Sequence, residues 1–240
     1  MTRPAPNPAA RRAQVLRLAY QRMRARFGHL QWWPGETPFE VCVGAILTQN
    51  TAWSNVERAI ANLKAARVLT PRKLYALPER NLAALIRPAG YFNVKARRLR
   101  AFLQTLVEDF GGRLDRLLAG DTATVRQRLL AIHGIGPETA DSMLLYAGAH
   151  PSFVIDAYTR RIFQRHDWCR GDASYDDLQT LCESALSQKS LPARLDYWQD
   201  YHAQLVITGK IYCRPRQPRC AECPLKPLLP NRPQSKTIGH

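Results

Sequence analysis

The sequence predicts an all-α protein, and three features point there. Apolar residues recur three or four apart through most of the chain, the period of helices buried along one face. Runs with the strict alternation of a strand are nearly absent. Short turns marked by Pro or Gly separate the periodic segments, with no internal repeat among them.

The first helix is expected over residues 9–27, where Val15, Ala19, Met23 and Phe27 recur every fourth position between arginines and Gly28 stands beyond as a stop. After Gln31-Trp32-Trp33-Pro34, Thr37 reads as an N-cap and Pro38 as the first position of a helix whose buried stripe is Phe39, Val43, Ile46 and Leu47. That helix runs into Thr48-Gln49-Asn50-Thr51-Ala52-Trp53. Gln49 and Asn50 there read either as capping groups or as a polar functional loop, and Trp53 either as core or as a pocket wall. Further helices are expected at 54–65, 71–77, 79–86 and 93–109. The break at Arg87-Pro88-Ala89-Gly90-Tyr91-Phe92 places two aromatics before a basic helix with Lys95, Arg97, Arg98 and Arg100. An exposed aromatic at such a place can wedge between base steps. The alternative is packing beneath the loop, which is the reading preferred for Phe92.

An amphipathic run with Val125, Leu129 and Leu130 stops at His133-Gly134-Ile135-Gly136, and a new helix starts at Pro137, whose fixed φ and missing N–H suit a first helical position. Two glycines around one apolar residue make a tight hairpin between helices, over about 124–146. Gly134 and Gly136 can take positive φ and admit another backbone. The outward N–H groups of the second helix suit a phosphate. A short extended run, Phe153-Val154-Ile155, then delivers Asp156 to a helix over 157–165, where the plain reading of Asp156 is an N-cap. Helices over 176–187 and 193–212 complete the series, and residues 230–240 are polar, Pro-containing and expected to be disordered.

Composition narrows the partner. With 35 basic and 19 acidic residues the net charge is +16, which favours a polyanion whose counterions are released on binding. The Pro-rich start has no apolar leader and no run of about 18 apolar residues occurs, so a soluble, intracellular and cytoplasmic protein without membrane contact is expected. The six cysteines are not spaced as a secreted disulfide framework.

The Gly-Ile-Gly hairpin followed by Asp156, together with Leu47-Thr48-Gln49-Asn50-Thr51, Gly90-Tyr91-Phe92-Asn93-Val94-Lys95-Ala96 and a cysteine-rich tail, resembles the helix-hairpin-helix DNA glycosylase superfamily, the endonuclease III relatives. The resemblance runs from about Trp32 to Cys223. It implies a helical barrel domain over 30–150, a second domain formed by 1–29 with 151–229, and a DNA cleft between them. It implies a monomer acting on double-stranded DNA with a damaged base, in the nucleoid. It further implies that Gly134, Ile135 and Gly136 grip the backbone, with Lys95 and Arg98 as further DNA contacts, that Gln49 enters the gap left by a flipped base, and that Tyr91 is the wedge. By the same resemblance Asp156 sits in the lesion pocket against the sugar.

Two departures from the family pattern matter. Bifunctional members carry a lysine nucleophile two residues after the second hairpin glycine, where this chain has Glu138. A carboxylate cannot form an imine with the sugar, so base removal without efficient strand cleavage is expected. Asp156 would stabilise the positive charge developing on the sugar or help a water attack it. Glu138 is either a further catalytic group or a first-turn partner of the helix dipole. The second departure lies in Cys213-x6-Cys220-x2-Cys223, which resembles the family's iron–sulfur loop with Leu229 at the fourth cysteine position. A [4Fe-4S] cluster with a non-cysteine fourth ligand, a zinc site completed by a His, or no metal all remain open, and no His lies near the three cysteines in sequence.

Without the amine, a base that already carries positive charge leaves most readily. Trp32, Trp33 and Trp53 are candidates for an aromatic pocket that would hold a cationic purine. The motif set looks like the 3-methyladenine glycosylase branch, type III. Two alternatives stand beside it: an endonuclease III-like enzyme for oxidised or deaminated pyrimidines, and a non-catalytic binder of DNA structure.

Overall fold

The computed structural model describes residues 8–32 and 35–230. The described residues form twelve α-helices and no strand, as the periodicity predicts. Trp33, Pro34, the first seven residues and the polar tail 231–240 lie outside them. The chain divides into two compact units, one of Trp32–Val154 and one that joins Met1–Gln31 to Ile155–His240.

The central unit is organised on α2 (Pro38–Leu47). Thr37 Oγ1 accepts from Glu40 N at 3.1 Å and Pro38 takes the first turn, as its cap and sequence predict. Phe39, Val41, Cys42, Val43, Ile46 and Leu47 are all buried, so the helix lies within the core, and its one buried charge, Glu40, is paired with Lys64 at 3.0 Å. Around it stand α3 (Trp53–Ala65), α4 (Pro71–Ala76), α5 (Glu79–Leu85), α6 (Phe92–Gln104) and the short α7 (Leu114–Leu117), with α8 (Thr122–Leu130) and α9 (Pro137–Tyr146) forming the hairpin pair. The helix expected over 93–109 holds α geometry only to Gln104 and continues as a π-helical turn, Thr105–Asp109.

A buried ion pair fixes the hairpin pair. Arg126 of α8 donates to both carboxylate oxygens of Asp141 on α9, at 2.8 and 3.1 Å, and Ser152 Oγ adds a bond of 2.7 Å. Asp141 is fully buried, so deleting Arg126 would strand a charge at a cost of about 3–5 kcal/mol.

The other unit contains α1 (Pro8–Phe27), α10 (Ala157–Arg165), α11 (Tyr175–Leu186) and α12 (Ala193–Ile211). Its buried stripe on α1 differs by one step from the expected one. Leu16, Ala19, Tyr20 and Met23 face inward, while Val15 and Phe27 are only half-buried. The reason is polar: Tyr20 Oη donates to Asp200 Oδ2 at 2.7 Å, and Tyr201 Oη donates to Leu16 O at 2.6 Å, which turns that face of α1 toward α12. Asp200 also accepts from Leu30 N at 2.9 Å, so one buried carboxylate ties the N-terminal segment to α12.

Candidate functional site

The two units each carry part of the predicted chemistry. In the unit that contains α10 and α12, Gly209 lets the two helices close. A Cβ built there would fall 2.8–2.9 Å from Tyr158 side-chain atoms, so only glycine admits that ring. This approach brings Asp156, at the head of α10, beside His202 of α12.

Asp156 is the N-cap, with extended backbone, and its Oδ1 accepts from Thr159 N at 2.7 Å. His202 Nε2 stands 3.7 Å from Oδ2, with the two side chains only 12% and 11% exposed. Burial by itself pushes the Asp156 carboxyl up. His202 and the Thr159 N–H outweigh it and hold the group below the usual carboxylate range. The plain and the functional readings of Asp156 therefore coexist: one oxygen caps the helix while the carboxylate stays ionised in a dry place. Sequence reasoning missed His202. A histidine inside a helix buried on nearly every side is a signal, yet no spacing links it to Asp156.

In the central unit α6 takes the organising role. Lys95 is 1% exposed, and its ammonium donates to Leu47 O at 2.8 Å and Ala89 O at 2.7 Å. Burial, reinforced by the charge of Arg98, pushes its pKa down to about 8. Lys95 is thus not the DNA contact expected from its place on a basic helix. It ties the end of α2, which leads to Gln49, to the turn that leads to Tyr91.

Arg98 acts one turn later. Its Nη1 donates to Gln49 Oε1, while Gln49 Nε2 donates to Gly134 O and to Thr139 Oγ1, each at 3.0 Å. Gln49 is therefore seated on the hairpin, and entering a base-pair gap would require breaking those bonds. Gly134 has φ +85°, and a Cβ on it would lie 2.8 Å from Arg98 Cδ, so both its backbone and the stacked arginine demand glycine. Gly136 differs, with φ −95° and nothing within 4 Å of an added Cβ. Neither its conformation nor its packing explains it.

The remaining predicted residues separate. Ile135 is buried in the core and its N–H bonds Ile132 O at 3.1 Å, so it anchors the hairpin from within instead of meeting a backbone. Tyr91 is 72% exposed with φ +45°, a left-handed residue at the head of α6. Phe92 packs against the core beneath it. Trp53 is partly buried and packs one side against the core, and Trp32 is half-buried. Glu138 is exposed in the first turn of α9, where the helix dipole favours a carboxylate. The three tail cysteines line one cavity together with His166 and Leu229, so a histidine distant in sequence is close in space. No group of three or more His, Cys, Asp or Glu side chains among the described residues is placed to hold a single metal ion. No described helix is long and apolar enough to cross a membrane.

Comparison with known proteins bears on the family and the fold. Residues 43–188 match the family model described as HhH-GPD superfamily base excision DNA repair protein. The chain is 46% identical over 201 residues to a protein of Methanocaldococcus jannaschii named as a candidate DNA repair glycosylase, covering 83% of this chain and 89% of that one. It is 30% identical over 189 residues to endonuclease III of Thermotoga maritima, covering 79% and 81%. Among solved structures it resembles the 3-methyladenine DNA glycosylase MagIII of Helicobacter pylori bound to 1,N6-ethenoadenine, with a TM-score of 0.70, 28% identity, and coverage of 83% and 97%.

Proposed function

We propose, from the premise that the chain belongs to the HhH-GPD superfamily of base excision DNA repair proteins and is a DNA N-glycosylase, that it hydrolyses the bond to a damaged base and leaves the strand uncut. The observation that carries this reading is Glu138, exposed two residues after Gly136 at the place where the bifunctional pattern has a lysine. The amine elsewhere in the motif set, Lys95, is buried and bonded to two carbonyls, so it does not substitute.

In this reading water supplies the oxygen that joins the sugar C1′ and releases its proton to solvent, the base departs with the bonding electrons, and Asp156 stabilises the positive charge that builds on the sugar. A carboxylate held ionised inside the protein suits that task. Tyr91, exposed on a left-handed turn, serves as the wedge, and the open Gly136 corner meets the backbone.

The preferred lesion is an alkylated purine such as 3-methyladenine. Such a base is already cationic and leaves without strong protonation, which fits a site with a carboxylate and no amine. The likeness to MagIII supports this choice. The likeness to endonuclease III favours a second reading, excision of oxidised or deaminated pyrimidines.

The test is release from duplexes containing 3-methyladenine, 1,N6-ethenoadenine, thymine glycol or uracil, each with and without hot alkali and with a borohydride trap. Purine release with breaks only after alkali and no trapped adduct is expected. Release confined to the pyrimidines would select the second reading, and a trapped adduct would overturn hydrolysis. Binding without release would make the chain a non-catalytic binder.

A further inference from the structure

The cysteine loop holds an arrangement that the sequence spacing alone does not show. Cys213, Cys220 and Cys223 are free thiols around one cavity, and a 3-10 turn over Lys226–Leu228 brings Leu229 to its wall. Leu229 has no donor atom. His166, the residue that ends α10, lines the same cavity and is 7% exposed.

The ring of His166 is oriented by one hydrogen bond among the described residues, from Nδ1 to Leu228 O at 3.2 Å. A carbonyl only accepts, so Nδ1 carries the proton and Nε2 keeps its lone pair. Metal-binding histidines are commonly fixed in this way, with the other ring nitrogen donating to a backbone carbonyl. Arg165, the neighbour of His166, donates to Cys213 Sγ at 3.4 Å and is itself held by Arg214 O at 2.6 Å and Pro215 O at 3.0 Å.

The donor set also separates one metal from another. Four ligands about 2.3 Å from a single zinc ion must stand about 4 Å from one another. The side chains here surround a cavity and do not gather on one point. Ligands spread around an apolar space suit a cubane of several irons, which takes thiolates and in some centres imidazoles. The residues present therefore fit the cluster that the loop's spacing suggests, with one imidazole in place of one thiolate.

We propose that Cys213, Cys220, Cys223 and Nε2 of His166 hold a [4Fe-4S] cluster, with His166 as the fourth ligand that Leu229 cannot be. On assembly from ferrous and ferric iron with sulfide, the three thiols each give up a proton and the neutral imidazole gives up none. The bound cluster consequently carries one negative charge fewer than an all-cysteine one, which makes it easier to reduce.

The experiment uses the full chain, purified without oxygen and also reconstituted with ferrous and ferric iron and sulfide, with its histidines labelled with nitrogen-15. Iron and acid-labile sulfide are counted per chain, and pulsed electron resonance of the reduced protein reports nitrogen bound to iron. About four irons and four sulfides with a nitrogen coupling are expected. His166→Cys, which offers a thiolate at the same place, should keep the cluster, lose the coupling and lower the reduction potential. His166→Ala should lose the cluster, and combining it with Leu229→Cys, which restores a fourth thiolate, should bring the cluster back without the nitrogen coupling. One zinc per chain, no iron after reconstitution, or a cluster whose spectrum and potential ignore His166→Cys would each overturn the proposal.

Discussion

Asp156 and Lys95 are both charges buried inside this protein, and they are used in opposite ways. The Asp156 carboxylate gives one oxygen to the Thr159 N–H and has His202 3.7 Å from the other, which keeps it ionised without saturating it. The Lys95 ammonium gives two of its three N–H donors to Leu47 O and Ala89 O. A buried acid that retains free acceptor capacity is equipped to meet charge from outside, whereas a buried base with its bonds taken inside is a fastener. The comparison predicts that changing the first alters chemistry and changing the second alters stability.

The largest effect should come from Asp156→Asn. Asparagine caps helices about as well as aspartate, so the head of α10 should survive. Base release should fall by about 100- to 1,000-fold, the scale of losing one preorganised electrostatic contact, while binding to a duplex with an abasic analogue stays unchanged. Single-turnover release beside a binding titration measures both. An unchanged release rate would end the distinction between the two charges.

Lys95→Met should do the reverse. Two buried carbonyls lose their donor, at a cost of about 3 kcal/mol. The pH dependence sharpens the point. Lys95 gives up its proton near pH 8 in the folded protein but only near 10.5 once unfolded. Between those values the unfolded chain binds more protons, so this group's contribution to stability rises with pH. Below pH 8 both states are protonated and nothing changes. The stability difference between the native chain and Lys95→Met, taken from urea melts at pH 7, 8, 9 and 10, should therefore widen above pH 8. A difference that stays flat would mean that the amine is not depressed.

His202→Gln probes the other side of the comparison. Burial pushes Asp156 up and His202 is the first of the groups that pull it down, so removing the histidine should raise the carboxyl's pKa. The acidic limb of the release rate should move to higher pH, with little change on the alkaline plateau. A loss that is uniform with pH would make His202 a packing residue only.

The fold was largely readable because its signals are local. Pro38 after Thr37, Pro137 after the glycines and the three-to-four spacing of Phe39, Val43, Ile46 and Leu47 each state a helix without reference to anything distant. What the sequence did not disclose are pairings between remote residues. Lys95 reads as one more cation on a basic helix until its ammonium is seen beneath Leu47 and Ala89. His202 and His166 carry no spacing that assigns them to Asp156 or to the cysteines. Ile135 sits inside a motif associated with backbone contact, yet its side chain faces the core, because a hairpin must be anchored by the residue between its glycines.

The two glycines offer the finest test, since they look alike in sequence and differ in structure. Gly134→Ala must force a left-handed alanine against Arg98, which should cost about 1–3 kcal/mol and disturb the seat of Gln49. Gly136→Ala meets extended backbone and open space, so the melting curve should shift by no more than about 0.5 kcal/mol. If Gly136 is kept small for a partner's backbone, the alanine should nevertheless weaken duplex binding. Equal stability with equal binding would show that Gly136 answers to nothing outside the chain, and the hairpin's grip would then rest on the first turn of α9 alone.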